Sequence, residues 1–377
     1  MSHALLSPSA SHRWIACPPS ARLTEFLADS ESSYASEGTL AHSVAERKLN
    51  QRLGRAEHTP FCDDAEMDEY TSDYADFVME QTEGLKDPAV FVEQRVDCSH
   101  YVPECFGTCD ALIVSDGVLH IIDLKSGRGV KVDAEENDQL RIYTLGAMRM
   151  FDFLYRFDTV RMSIYQPRLG NVQTWETTAE ALNEWAETVL VPAAKLAWDG
   201  NGSYKAGDHC RFCKAKAECR ARAEANMALA AYDFTDPALL QVCEVADLLG
   251  KIDELVSWAS DVKDYALAQA LSGTKYDGWK VVAGRSNRKY TDDDAAAAAV
   301  KDAGYDPYEH KLLGITAMTS LLGKKRFDEL LGGLTCKPEG KPVLVPASDK
   351  RNELNTAADD FADPNENKGD YYHDKYC

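Results

Sequence analysis

The residues best equipped for chemistry lie in one stretch, Asp110-Ala-Leu-Ile-Val-Ser-Asp-Gly-Val-Leu-His-Ile-Ile-Asp-Leu-Lys125. Asp116-Gly117 reads as a two-residue hairpin turn between two apolar runs, Asp110 to Val114 and Val118 to Leu124. Counting outward from the turn pairs Ser115 with Val118, Val114 with Leu119 and finally Asp110 with Asp123. Directly opposed residues share a face, so the two carboxylates stand about 5 Å apart and repel unless a cation lies between them. Lys125, two residues beyond Asp123, falls on the same face. Two carboxylates and an amine on one strand face suit a hard divalent cation and a water. The neighbours Leu112, Ile113, Val114, Ile121 and Ile122 are too apolar for a wholly solvated hairpin. The count depends on register, since a slip of one residue moves one Asp to the other face. Glu93, in Val-Glu-Gln-Arg-Val, is a candidate further ligand to metal or water, set against a plain strand residue.

A second cluster is Cys210-Arg-Phe-Cys213 followed by Cys219. One short segment thus offers three corners of a tetrahedral site, and a fourth ligand must come from elsewhere. By spacing alone, four-cysteine zinc and an iron–sulfur cluster are equally served. His209 is an alternative ligand. Cys105 and Cys109 flank the carboxylate strand and read as small packing residues. Around the three cysteines stand Lys205, Arg211, Lys214, Lys216, Arg220 and Arg222, candidates to line a DNA path or else a solvated rim.

The elements that must position these groups follow from periodicity. Helices are predicted over Glu37 to Leu53 and Ala65 to Gly84. A Val- and Phe-rich strand runs from Ala89 to Val96, and the hairpin follows. A helix from Ala134 to Phe151 precedes a strand, Thr159 to Tyr165, with Val160, Met162 and Ile164 alternating. A short strand near Asn171 to Glu176 and a helix from Ala179 to Trp198 close the region. This order is a mixed α/β plan. Beyond it, Pro237 to Leu271 reads as one long amphipathic helix with Val245, Leu249, Ile252, Val256, Ala259 and Ala266 on one stripe. Gly278 to Tyr290 reads as a basic hairpin carrying Arg285, Arg288 and Lys289. Helices are predicted near Asp292 to Ala303 and Ala317 to Leu331, and a polar, acidic tail from Pro346. The expected division is a domain over 1–230, a mostly helical domain over 231–345 and a tail over 346–377.

Composition bounds the function classes. The 377 residues are 45% hydrophobic and 27% charged, as in a globular protein. No apolar run approaches the roughly 18 residues of a membrane span. Met1 to Pro18 is Ser-rich without a long apolar core, so a cytoplasmic location is expected. There, eleven cysteines read as thiols or metal ligands rather than disulfides. The net charge of −21 excludes a protein that coats nucleic acid by bulk attraction. Charge is uneven, however. Residues 57–87 hold eleven acidic residues and one Lys, whereas 205–222 hold six basic and two acidic. A locally basic strip on an acidic chain suits an enzyme that touches nucleic acid at one groove.

Gly107-Thr108-Cys109-Asp110, then Asp123-Leu124-Lys125, then Gln139 with Tyr143 four residues on, resembles the PD-(D/E)xK nuclease superfamily. It is most similar to the branch of RecB and AddB nuclease domains and of CRISPR adaptation nucleases with an iron–sulfur cluster. Gly38-Thr39-Leu40-Ala41-His42 with Glu46 matches that branch's upstream helical His. The resemblance implies a restriction-endonuclease-like mixed sheet flanked by helices, and Mg²⁺ or Mn²⁺ held by His42, Asp110 and Asp123 with the Leu124 carbonyl. Lys125 would orient or deprotonate the attacking water, Gln139 and Tyr143 would position the DNA backbone, and Glu46 would support from behind. It also implies a [4Fe–4S] cluster, with Cys17 of Trp14-Ile-Ala-Cys17-Pro18 joining Cys210, Cys213 and Cys219 like a belt. Ser7 to Trp14, Leu344 to Arg351 and the Asn355 segment look like an uncharacterised phage and prophage family. The expected function is a metal-dependent DNA exonuclease of phage replication or recombination, partnered by DNA and by a single-strand-binding protein or the replication machinery. Two alternatives are a catalytically silent DNA-binding subunit with structural zinc and an acidic protein that blocks a host nucleic-acid enzyme.

Overall fold

The computed structural model describes residues 4–27, 33–55, 62–228, 242–283, 290–308 and 312–336. Arg285, Arg288, Lys289, the segment from Leu344 to Arg351 and the tail lie outside them. Two compact units divide the chain, Met1–Thr274 and Lys275–Cys377.

The first unit is built on a five-stranded sheet in the order β1-β2-β3-β4-β5: Ala89–Asp97, Phe106–Ser115, Gly117–Leu124, Phe157–Gln166 and Asn171–Thr178. β3 and β4 run parallel and every other pair antiparallel, so the sheet is mixed. The turn forms as the sequence dictates. Gly117 has φ +83°, open to glycine at no steric cost. The register is that of the outward count, with Ser115 opposite Val118 and Ala111 opposite Ile122. The parallel pair needs a crossover, which α5 (Asp138–Phe151) supplies. Asn137 caps it, its side chain accepting from Leu140 N at 3.2 Å.

Helices cover both sheet faces. Leu112, Val114, Leu119, Ile121, Val160, Met162 and Ile164 pack under α5, and the same core takes Leu6 and Trp14 from the N-terminal segment. That segment holds α1 (Ser11–Ala16) and α2 (Ser20–Leu23). On the other face Ala111, Ile113, Ile122 and Leu124 meet Ala45 and Leu49 of α3 (Ser33–Arg52) and Tyr74, Ala75 and Val78 of α4 (Ala65–Glu80). The α3–α4 pair is pinned by Lys48, 4% exposed, whose Nζ reaches Asp68 Oδ1 and Ser72 Oγ at 2.7 Å. The helix expected over 179–198 is α6 (Ala179–Trp185), a π-helical turn (Ala186–Leu190) and α7 (Val191–Asp199).

After α8 (Arg220–Met227), the single helix expected to Leu271 is two, α9 (Val242–Leu249) and α10 (Ile252–Leu271). Gly250-Lys251 breaks it, because glycine is costly in a helix interior. Its stripe stays largely in solvent, with Val245, Leu249, Ile252 and Val256 42–64% exposed. In the second unit the described helices are α11 (Asp293–Asp302), α12 (Ile315–Leu322) and α13 (Lys324–Leu331). Gly323, at φ +74°, splits the helix predicted over 317–331. The described flanks of the expected basic hairpin, 278–283 and Tyr290, carry no strand. Among the described residues no helix is long and apolar enough to cross a membrane.

His120 sits fully buried in β3, sharing a 2.7 Å hydrogen bond with Ser163 Oγ while its Nδ1 has no partner. Burial, and then the Arg161 charge, push its pKa down from 6.5 to about 3. The unfolded chain therefore takes up a proton below about pH 6.5 that the folded chain refuses. Stability present above that pH is lost as pH falls toward 3, by about 1.4 kcal/mol per pH unit. Urea denaturation from pH 7 to 4 should show a shallower acid slope in His120→Leu than in the parent chain. Equal slopes would mean that other groups set the acid sensitivity.

Candidate metal centre

Three carboxylates fall in one row across three neighbouring strands. In the β1–β2 register Val92 faces Ala111 and Gln94 faces Cys109, which sets Glu93 beside Asp110. The β2–β3 register ends at the Ala111–Ile122 pair, and Asp110 and Asp123 each lie one residue past it. Glu93 has φ +48°, a left-handed conformation that costs a non-glycine residue about 1–3 kcal/mol. The strands change face at this row. Val90 and Val92 line the α3–α4 core but Val96 the α5 core, and Ala111 lines the first whereas Cys109 lines the second. Strict alternation, assumed in counting from the turn, therefore fails beside Asp110.

That twist decides which groups meet. Asp110 Oδ1 lies 3.0 Å from His42 Nδ1 on α3, and its Oδ2 accepts from Leu124 N at 2.7 Å. Ligand atoms of His42, Glu93 and Asp110 all lie within 4.8 Å of one another. Burial alone would lower the His42 pKa, but the hydrogen bond and charge of Asp110, with Asp123 and Glu93, lift it to about 9. Burial, reinforced by Asp110, pushes Glu93 up to about 7. Negative charge here is costly by itself and seeks a cation.

Asp123 is engaged on the α5 side of the same row. It is 4% exposed, with Oδ2 2.9 Å from Lys125 Nζ and Oδ1 accepting from Gln139 Nε2 at 3.0 Å. Lys125 Nζ also donates to Gln139 Oε1 at 3.1 Å, and Gln139 Nε2 reaches Tyr143 Oη at 3.5 Å. The Lys125–Asp123 contact is an ion pair without hydrogen-bond alignment, so the buried Oδ2 stays unsatisfied. Burial raises the Asp123 pKa despite Lys125. For Lys125, burial is outweighed by Asp123, which holds the ammonium charged. Tyr143 owes its place to Gly107, since a Cβ there would lie 2.5 Å from the ring.

The sequence-predicted site residues thus gather on β1 to β3 and the helices beside them in two adjoining groups. His42, Glu93 and Asp110 form the close metal-capable set, and Asp123, Lys125, Gln139 and Tyr143 form a hydrogen-bonded chain beside it. Tyr74 was not anticipated. It is 1% exposed, its hydroxyl lacks a partner, and Asp110, Asp123 and Glu93 are the charges around it. Its helical spacing on α4 signals only core. The chemistry of this donor set fits a hard divalent cation, with oxygen-rich ligands and one imidazole.

The cysteines converge elsewhere in the first unit. Cys17, Cys210 and Cys213 are buried free thiols and Cys219 is half-buried. Lys205 N donates to Cys17 Sγ at 3.5 Å, His209 Nε2 donates to Lys205 O at 2.8 Å, and the ring touches Cys17 and Cys210. Burial would raise the Cys17 pKa, but the contacts from His209 and Lys205 N bring it below its usual value. The Arg13 guanidinium lies near Cys213 and Cys17. Nine of the described cysteines are free and Cys243 is disulfide-bonded; Cys105 and Cys109 are 1% exposed in the α5 core.

The basic strip divides. Lys205, Arg211, Lys214 and Arg220 are exposed. Arg222, expected along a DNA path, is instead 0% exposed, paired with Glu254 at 2.6 Å and Asp261 at 2.7 Å. Lys216 also pairs with Asp261, at 2.7 Å. These two cations tie α8 and its approach to α10, because a buried guanidinium demands counter-charges.

Among solved structures, one described as "Crystal structure of SSO0001" is 14% identical, covering 49% of this chain and 98% of that one at a TM-score of 0.23. The family model described as "Protein of unknown function (DUF2800)" matches residues 3–352, nearly the whole chain. The chain belongs to that family.

Proposed function

We propose that the chain is a metal-dependent DNA nuclease of the PD-(D/E)xK kind, an exonuclease acting on ends or single strands in phage DNA replication or recombination. One observation carries the reading: an Asp123–Lys125–Gln139 chain, buried at Asp123, adjoins the His42–Glu93–Asp110 set. Those three ligands, with Asp123 beside them, would hold Mg²⁺ or Mn²⁺, whose chemistry is Lewis acidity toward a phosphate oxygen. Lys125, held as an ammonium, is a donor able to orient a water and to steady charge on the phosphate. The water oxygen forms a new bond to phosphorus as the bond to the departing sugar oxygen breaks, and that oxygen leaves with a proton. Gln139 fixes both Asp123 and Lys125, so its part is positional.

For the cysteine centre we favour [4Fe–4S] held by Cys17, Cys210, Cys213 and Cys219. Spacing alone serves zinc equally, and the resemblance to the cluster-bearing nuclease branch is what favours iron. Such a cluster would link the N-terminal segment to the stretch just before α8. Lys205, Arg211, Lys214 and Arg220 are the remaining candidates to meet DNA. The cytoplasm and a phage single-strand-binding partner belong to the same reading.

The test is digestion of end-labelled single-stranded, double-stranded and forked DNA with Mg²⁺ or Mn²⁺, and with chelator. Metal-dependent loss of label is expected. Divalent ions should also raise Tm, because they bind the folded chain alone. Intact DNA together with a Tm indifferent to Mn²⁺ would overturn the proposal.

A further inference from the structure

Tyr74 and Glu93 are two polar groups for which the described residues show no hydrogen bond, and both lie near Asp110 and Asp123. Tyr74 extends from α4 into the core formed with Ala45, three residues after His42, and with Ala111 and Leu124, the neighbours of Asp110 and Asp123. Its ring packs edge-on against Tyr165 at 5.6 Å, which fixes the hydroxyl while leaving it without an acceptor. Burying a hydroxyl unpaired is costly. Of the metal-capable triad, Asp110 uses both oxygens, on His42 and Leu124 N. For Glu93 the described residues show no hydrogen bond, although its backbone is strained to bring it there. Residues behind metal ligands orient them and tune affinity about 10- to 100-fold.

We propose that Tyr74 is the positioning residue of the metal centre, its hydroxyl donating to Glu93 through one water and holding that carboxylate in its ligating orientation. This rests on the metal-centre reading above. An alternative use of the hydroxyl, within the packing of α4 alone, is countered by its surroundings: the charges near it are Asp110, Asp123 and Glu93 rather than groups of its own helix.

Tyr70 provides a matched control. It lies one turn earlier on α4, its hydroxyl is also without a partner, and its ring sits under Arg168, 5.1 Å from the guanidinium. The experiment titrates Mn²⁺ into the full chain by calorimetry, with thermal unfolding alongside. Tyr74→Phe should weaken Mn²⁺ binding about ten-fold or more without lowering the metal-free Tm, since the hydroxyl is unpartnered without metal and gains its acceptor only with Glu93 in the ligating orientation. Tyr70→Phe should leave Mn²⁺ binding unchanged. Equal binding by Tyr74→Phe and the parent chain, or equal losses in the two variants, would overturn the role of Tyr74. A parent chain that binds no Mn²⁺ would instead overturn the metal centre itself, a result seen before either variant is made.

Discussion

Lys125→Ala is expected to slow DNA digestion by about two to four orders of magnitude while Mn²⁺ still raises Tm. The figure is the usual worth of a group that manages a proton or a reacting water. Lys125 Nζ lies 2.9 Å from Asp123 Oδ2, and an ammonium has no lone pair with which to ligate a metal. Removing its charge takes away a competitor for the carboxylates, so metal binding should hold or tighten. Metal-free stability should fall, because Asp123 is left buried without its counter-charge. Asp110→Asn should behave in the opposite way. Asp110 joins His42 and Leu124 N and belongs to the triad, so both digestion and the Mn²⁺-dependent rise in Tm should be lost. Asp123→Ala should abolish digestion and shrink that rise. Digestion by a preparation free of contaminating nuclease, unchanged in both Asp123→Ala and Lys125→Ala, would place the site elsewhere.

How much of this was legible depended on how local the signal was. The hairpin register followed from one dipeptide, because Gly117 needs its positive φ and two-residue turns fix the pairing. The five strands followed from apolar runs and alternation, whereas the helix-flanked mixed sheet was implied by the resemblance and its strand order was not anticipated. The change of face at Glu93 was not legible, since nothing in Val-Glu-Gln-Arg-Val marks a non-glycine residue for left-handed backbone. It leaves Asp123 with Lys125 and Gln139 and draws Glu93 into the close set with His42. Arg222 failed for a related reason. Six cations in one stretch read as a surface, but Glu254 and Asp261, which bury Arg222, lie on a helix expected to stand apart. The break at Gly250 was a weak signal within a strongly periodic stretch. Tyr74 resembles any core tyrosine until its hydroxyl is found without a partner.

Cys17→Ser is expected to empty the cysteine centre and lower Tm sharply, although the N-terminal segment stays in place. Two effects compete. A structural metal site contributes much of the folding energy of what it ties together, and Cys17 is the one ligand of the proposed set that comes from the start of the chain. Against that, the segment has anchors of its own. Trp14 is fully buried in the α5 core, its Nε1 donates to Ser7 O at 3.0 Å, and Arg22 Nε donates to Trp198 O at 2.7 Å. Those contacts should keep the variant folded, and losing the ligand should dominate metal content. Protein purified without air should be brown, with iron, in the parent chain and colourless in Cys17→Ser. Cys105→Ser separates packing from ligation. Its thiol is as buried as that of Cys17 or more so but lies in the α5 core, so stability should fall while iron is retained. A full complement of metal in Cys17→Ser would remove Cys17 from the ligand set. Colourless parent protein with stoichiometric zinc would overturn the iron assignment and leave the four ligands standing, because zinc and the cluster draw on the same thiolates.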